Sequence, residues 1–412
     1  MMKEKGQGIA AKKGWEIKMI GEVCQIRPPK SEARDRLSDD ALVSFLPMED
    51  MGIGVKFVQG TQVRPLSTVQ GSYTYFADGD VLLAKITPCF ENGKLGIAQG
   101  LSNGIGFGSS EYFVFRPQRT LIGEWLYYCL AGETFRAEGA VQMTGAVGHK
   151  RVAKEFIENY LIPVPPMGEQ ERIVGILDEA FEGIARAKAN AEKNLQNARA
   201  IFDSHLHSVF SQRGKGWRRT TLGEVCKFRS GGTPSKSVQR YWRGNIPWVS
   251  PKDMKTEIIF DSIDHISREA IDASSTSLIP KDSVLIVVRS GILARIVPIA
   301  ITGRDITINQ DLKALCPDET IDARFLYHLL GSKMDDLLSM VTRGATVHRL
   351  MTDQIRRVDF TLPPMGEQER IVGILDGLAT ETQRLAGIYE RKLVLLEELK
   401  KALLHRAFSG EL

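Results

Sequence analysis

The chain has 412 residues, 43% of them hydrophobic and 25% charged, with a formal net charge of +4; this is the composition of an ordinary soluble protein of two or three domains. The longest aliphatic run, about residues 284–288, falls far short of the ~20 residues that cross a bilayer, and the basic start lacks the apolar stretch of a signal peptide, so membrane insertion and secretion are not expected. The five cysteines, Cys24, Cys89, Cys129, Cys226 and Cys316, lie at least 40 residues apart, which excludes a zinc ribbon or a CxxC pair and fits a reducing cytoplasm.

Taken in order, the chain reads as a tail over residues 1–13, a mixed segment over 14–165, a long helix over 166–213, a second mixed segment over 214–363 and a second long helix over 364–412. The pattern repeats. Pro165-Pro166-Met167-Gly168-Glu169-Gln170-Glu171-Arg172-Ile173-Val174-Gly175-Ile176-Leu177-Asp178 recurs unchanged from Pro363 to Asp376. Gly21-Glu22-Val23-Cys24 returns as Gly223-Glu224-Val225-Cys226, Gly145-Ala146 with His149 as Gly344-Ala345 with His348, and His207, Phe210 and Ser211 as His405, Phe408 and Ser409. Fourteen identical residues in a row do not arise by chance, so the chain is two copies of a ~200-residue unit.

In the first mixed segment, Val81-Leu82-Leu83 and Tyr112 to Phe115 predict strands, Gly104 to Gly108 a turn, and Trp125 to Ala131 a helix. In the second, Val284 to Val288 predicts a strand and Phe325 to Met334 a helix. These are expected to be two globular α/β (α+β) domains. Each Pro-Pro then opens a helix, because Glu169, Glu171 and their copies favour its positive end. A heptad-like stripe runs through Ile173, Leu177, Ile184, Ala191 and Ala198, and on through Ile201 and His205. Its counterpart runs through Ile371, Leu375, Leu378, Leu385, Leu396, Leu399 and Leu403. Small residues facing large ones predict a seam between two antiparallel coiled-coil helices, with a pseudo-twofold internal repeat and the globular domains held apart at their ends. Residues 169–213 and 366–412 each carry a net −1, which leaves +6 for the remainder. Basic modules at a fixed separation suit a duplex polyanion.

Catalytic machinery is missing from the sequence. There is no G-x-x-x-x-G-K-[ST] loop, and no Asn-Pro-Pro-Tyr or Asp-Pro-Pro-Tyr run for methylation of an extruded adenine. His205 and His207 diverge on a helix and cannot share a metal; Asp39-Asp40 reads as a solvated loop. No catalytic or metal site is expected.

The chain resembles the specificity subunit of type I restriction–modification systems. The resemblance covers nearly all of it and rests on the duplicated Pro-Pro-Met-Gly-Glu-Gln-Glu-Arg-Ile blocks and the ending Ala407 to Leu412. It rests also on Ser230-Gly231-Gly232-Thr233-Pro234-Ser235-Lys236 with Tyr241-Trp242 and Ile246-Pro247-Trp248-Val249, which are similar to one subtype of target recognition domain. Phe45 to Asp50, Asp80 to Lys94, Gly106 to Pro117 and Gly145 to Val152 resemble another subtype, with Arg27-Pro28-Pro29-Lys30 standing where a Gly-Gly-Thr-Pro-Ser element would be.

That resemblance implies a cytoplasmic, DNA-binding, non-catalytic subunit. Each target recognition domain would read one half of an asymmetric bipartite site on double-stranded DNA. The coiled-coil helices would set the spacer and dock two modification (M) subunits, and two restriction (R) subunits would join. S-adenosylmethionine is expected in M, and ATP and Mg in R, with no cofactor in this chain. Loop residues able to contact bases or phosphates are Lys85, Asn92, Lys94, Ser109, Ser110, Lys150 and Arg151 in the first domain. In the second they are Lys236, Arg240, Arg243, Lys252, Arg289, Arg295, Gln310 and Arg349. Thr233-Pro234 and the tryptophans are expected to be structural. The alternative is a non-DNA scaffold that spaces two binding domains.

Overall fold

Pro165-Pro166 and Pro363-Pro364 end a strand and lead directly into the two long helices, Met167–Ser211 and Met365–Ser409, each of 45 residues. Proline lacks an N–H, which a helix's first turn does not need. The computed structural model describes residues 12–146, 148–212 and 214–412, so the expected tail lies, apart from Lys12 and Lys13, outside the described residues. The chain folds as two compact units. One comprises residues up to Ala191 together with Arg391–Leu412, the other Glu192–Glu390, and each long helix gives one part to each unit.

The first unit is built on a five-stranded sheet in the spatial order Cys24–Ile26, Tyr112–Pro117, Val81–Ala84, Leu95–Ala98, Phe57–Val58. All its pairs are antiparallel except the last, which is parallel. Val81–Ala84 is buried along its whole length, which explains its uninterrupted apolar run. A four-stranded sheet lies beside it in the order Gln62–Pro65, Leu42–Leu46, Ile105–Gly108, Thr74–Ala77. The glycine run at Gly104 to Gly108, expected as a turn, is therefore largely a strand. A Cβ on Gly106 would sit 2.2 Å from the Phe76 ring and one on Gly108 2.4 Å from the Leu46 carbonyl, so these glycines admit neighbours.

The second unit repeats the five-stranded sheet in the same order: Cys226–Ser230, Leu312–Pro317, Val284–Val287, Ile299–Thr302, Ile258–Ile259, again with one parallel edge pair. Its companion sheet has three strands, Asp264–Ile266, Ile246–Val249 and Thr307–Ile308. The helix expected from Phe325 to Met334 is Ala323–Ser332, and a separate one starts at Met334.

The repeated block docks each helix on its own domain in the same way. Gln170 is fully buried; its Nε2 donates to the Thr120 and Pro165 carbonyls at 2.8 Å and its Oε1 accepts from the Ile122 N–H at 3.0 Å. Gln368 does the same with Thr320, Pro363 and the Asp322 N–H. Asp178 accepts from Lys56 and Tyr128, and its copy Asp376 accepts from His328 and is ion-paired with Arg324.

The helices run antiparallel within each unit. In the first, Arg172 donates to the Leu412 carbonyl at 2.7 Å and Lys188 pairs with Glu397 at 2.6 Å; in the second, Arg199 pairs with Glu390 at 2.9 Å. The apolar ends of the helices complete the domain cores. Leu404, Ala407 and Phe408 join the first core, with Phe408 edge-on to Trp125, and Leu206, Val209 and Phe210 join the second, with Phe210 against Phe325.

The seam differs from its expected register. Ile173, Leu177, Ala191, Ala198, Ile371 and Leu375 are buried, and Ile184, Leu378, Leu385, Leu396 and Leu403 half-buried. Leu399, however, is 47% exposed and Ile201 50% exposed; their places are taken by Lys400 and Phe202 one residue on, and further along by Leu404 and Leu206. A straight helix turns every 3.6 residues, so a stripe read at 3.5 drifts by about 20° per heptad. Both helices drift in the same sense.

Candidate nucleic-acid interface

In the first unit, three segments meet at the end of the central strand Val81–Ala84. Lys85 leaves that strand, and its N–H donates to the Glu111 carbonyl at 2.9 Å while its own carbonyl accepts from the Val152 N–H at 3.0 Å. The turn 109–111 brings in Ser109, Ser110 and Glu111. The third segment is a hairpin closed by Thr144 and Arg151, whose backbones exchange hydrogen bonds of 2.8 and 3.0 Å. Across this junction Arg151 grips Glu111 with two bonds, at 2.8 and 2.9 Å, and the Lys85 ammonium donates to the Ser110 carbonyl at 2.8 Å. The Arg151 guanidinium holds the Glu111 carboxyl below its ordinary range, with help from Lys85. Burial, then the charge of Arg27, lowers the Lys85 ammonium. Arg27 and Lys85 flank the Phe113 ring, each 5.8 Å from its centre. Two cations, Arg151 at 2.8 Å and Lys85 at 3.7 Å, thus pair with one carboxylate, with Arg27 close to Lys85 and Lys150 beside Arg151 in the hairpin. This is a surface suited to a polyanion.

The second unit carries the same frame with other side chains. The Val288 N–H donates to the Asp311 carbonyl at 2.8 Å, the Leu350 N–H to the Val288 carbonyl at 2.9 Å, and Thr342 and Arg349 close the hairpin with bonds of 2.8 and 3.0 Å. Arg289 pairs in antiparallel fashion with Arg349, and its guanidinium lies 3.9 Å from Asp311. Both hairpins span eight residues, so Thr144 and Arg151 correspond to Thr342 and Arg349. In this register His348 matches Lys150, one residue away from the match that the shared Gly-Ala and His suggest; its Nδ1 accepts from the Gly344 N–H at 3.3 Å. Beside the turn 309–311 lies the Gly-Gly-Thr-Pro segment. The Gly232 N–H donates to the Ile308 carbonyl at 3.0 Å, and a Cβ on Gly231 would fall 2.1 Å from that same oxygen, so only glycine fits. Trp248 anchors the segment by donating to the Gly232 carbonyl at 2.9 Å.

Of the candidate residues, the structure gathers Lys85, Ser109, Ser110, Lys150 and Arg151 in one unit and Arg289, Gln310 and Arg349 in the other. Arg295 follows the short turn Gly291–Ala294, which packs against the His348–Arg349 strand. Asn92 is exposed in the loop between the strands Val81–Ala84 and Leu95–Ala98; Lys94 near it donates to the Met48 carbonyl at 2.6 Å and so ties down a loop. Lys236, Arg240, Arg243 and Lys252 lie on or near the three-stranded sheet of the second unit, where Arg240 pairs with Glu269 and Lys252 with Asp264. Sequence reasoning passed over Arg27 and the two organising acids. A signal was present: Glu111 and Asp311 each stand directly before the strand that ends at Pro117 or Pro317. Among the described residues no group of three or more His, Cys, Asp or Glu could hold a metal ion, and no helix is long and apolar enough to cross a membrane.

The profile of the family described as type I restriction modification DNA specificity domain matches residues 12–194 and 214–390. The chain is 36% identical over 262 residues to the Escherichia coli type I restriction enzyme EcoR124I/EcoR124II specificity subunit, over 61% of this chain and 63% of that protein. It is 40% identical over 163 residues to the Escherichia coli EcoEI specificity subunit, over 39% of this chain and 27% of that one. The chain thus spans less than two thirds of the length of these relatives. Its fold is similar to a solved chain of a type I R-M system described for its complex assembly and conformational transition. That likeness has a TM-score of 0.76 at 21% identity and covers 98% of this chain and 99% of the other. It is also similar to the HsdS subunit from Thermoanaerobacter tengcongensis, with a TM-score of 0.63 at 20% identity, over 98% of both.

Proposed function

From the premise that this chain belongs to the type I restriction–modification DNA specificity family, we propose that it is the sequence-reading subunit of a type I restriction–modification complex. Residues 14–165 and 214–363 act as target recognition domains, each binding one half of a bipartite site on double-stranded DNA. The observation that carries this reading is the junction repeated in both units. One backbone frame places cations beside a single acid, Glu111 or Asp311, while the exposed side chain at the tip of the turn differs: Ser110 in one unit, Gln310 in the other. Shared cations suit the phosphates common to all DNA, and differing side chains suit two unlike half-sites.

The duplicated block supports docking of two copies of one modification subunit. Its inward residues hold each helix to its domain. Its outward residues, among them Met167 and Ile176 and their copies Met365 and Ile374, are exposed. A Cβ added to Gly168, Gly175, Gly366 or Gly373 would meet no described atom within 4 Å. A glycine inside a helix costs about 1 kcal/mol, and here nothing within the chain requires it. Close approach by a partner accounts for all four. In this reading S-adenosylmethionine is held by the modification subunits, ATP and Mg by restriction subunits, and this chain performs no chemistry.

The test is to map methylated adenines in DNA from cells that carry the modification partner, with and without this gene. A bipartite methylated motif that vanishes with the gene is expected. Methyl transfer from labelled S-adenosylmethionine by the pure chain would contradict the non-catalytic role. Loss of the gene with no change in methylation would contradict the reading itself.

A further inference from the structure

Gln310 is exposed at the tip of the turn 309–311, and its amide has a partner there: the Thr233 hydroxyl donates to its Oε1. The turn beneath is fixed. Asn309 is buried; its Oδ1 accepts from the Asp311 N–H and its Nδ2 donates to the Asp311 carboxylate, both at 3.0 Å. Thr233 is held in turn by its neighbour Gly232 and by Trp248. Orienting an exposed amide in this way costs side-chain entropy and adds nothing to a core. It does favour one edge of the amide facing outward. The Oε1 keeps a second lone pair and the Nε2 both of its protons. That is the donor–acceptor pair that matches N6 and N7 of adenine in the major groove. Arg289 and Arg349 flank the turn and suit the adjoining phosphates.

Building on the reading of the chain as a DNA-specificity subunit, we propose that Gln310 is a specificity-determining residue that reads an adenine edge in one half-site, with Thr233 as its positioning residue. Ser110, at the same place on the same frame in the other unit, occupies the corresponding position for the other half-site. The turn acts as a socket: the backbone bonds of Lys85 and Val288 to residues 111 and 311 are the same in both units, and only the side chain it carries differs.

The experiment uses the full chain assembled with its modification partner and a library of randomised DNA duplexes. Sequences enriched by the unaltered chain are compared with those enriched by Gln310→Ala, Gln310→Glu, Thr233→Val and Ser110→Gln. The unaltered chain is expected to prefer adenine at one position by about 5- to 150-fold. Gln310→Ala should bring that position close to parity and leave every other position unchanged, including the whole of the other half-site. Gln310→Glu cannot donate to N7 and should abolish the adenine preference. Thr233→Val should weaken discrimination at that position alone, with the salt dependence of binding unaltered because no phosphate contact is lost. Ser110→Gln should alter only the other half-site. If Gln310→Ala enriched the same bases with the same discrimination, the inference would be overturned while the DNA-specificity role stood. Relaxation at a position other than adenine would overturn the adenine assignment. If the unaltered assembly enriched no sequence, the proposed function would fall, and this inference with it.

Discussion

Gln170 and Gln368 are the most economical expression of the repeat at the scale of single residues. Each buried side chain bonds two carbonyls and one N–H, among them the buried carbonyl of Pro165 or Pro363. Replacing either by Ala strands these groups, and a loss of about 3 kcal/mol is expected, measured as a lower urea midpoint for the unit concerned. Gln170→Glu should also be costly, because it substitutes an acceptor where the Thr120 and Pro165 carbonyls need a donor. The thiols make a second check. Burial pushes Cys24 and Cys226 up to about 12, and Cys129 well above its ordinary value. These three should resist alkylation at neutral pH in the folded chain and react only on unfolding; rapid labelling of Cys129 in the native protein would contradict its placement. Glu111 gives a pH dependence. Its folded pKa lies below its ordinary value of 4.5, so the clamp on Arg151 is complete above that value and is lost as pH falls through the depressed one. DNA affinity of this unit should therefore be free of any step from this pair near neutrality and should change only in acid. Titration of binding in the Glu111→Gln variant isolates the contribution.

The long helices teach the lesson of elements. Their length, start and direction follow from the Pro-Pro-Met-Gly-Glu-Gln-Glu block, the absence of internal proline and the chain's own connectivity. The seam does not follow so simply, because the heptad count and the helical pitch disagree by a small angle that accumulates. Leu399 and Leu404 separate the two readings. Leu404 is 8% exposed within the first unit's core and Leu399 is 47% exposed. Leu404→Asp should cost about 3 kcal/mol or more by burying an unpaired carboxylate, whereas Leu399→Asp should stay within about 0.5 kcal/mol. Thermal unfolding of the two variants decides this, and the reverse order would restore the 3.5-residue register. Leu399 lies one turn beyond Leu395, which is also exposed on the same face of the helix. A defect in partner assembly without loss of stability in Leu399→Asp would place this patch in the docking surface.

At the scale of the whole molecule, the proposed division of labour between helices and domains gives two edits that should be separable. Exchanging residues 216–363 for another recognition domain should change one half-site and leave the other half-site and the spacer alone. Inserting four residues in register into both helices adds about 6 Å of helix, and a base pair rises about 3.4 Å, so the spacer should lengthen by one or two base pairs with both half-sites intact. Mapping of methylated motifs reads both outcomes. Half-site bases that changed with the helix insertion would show that length and sequence are not carried by separate parts.

The duplicated block made much of the fold legible without coordinates. Identical residues at offset 198 specify two units, two helices and their antiparallel sense, because a local signal repeated in sequence folds the same way twice. The apolar runs Val81 to Leu83 and Val284 to Val288 likewise marked the central strands, since a strand buried on both faces has no polar positions to blur it. The candidate surface was only half legible. Lys85, Ser110, Arg151, Arg289, Gln310 and Arg349 could be chosen for their chemistry, and so could Lys94, Arg240 and Lys252, but only the fold shows that the first six gather at the repeated junction and the other three stand elsewhere. Composition and repeat determine that there are two basic domains joined by long helices. Which cations come together is decided by pairing between residues some 25 to 40 positions apart, such as Lys85 with Ser110 and Arg151 with Glu111. Such pairing depends on strand register, and no local pattern of side chains encodes it.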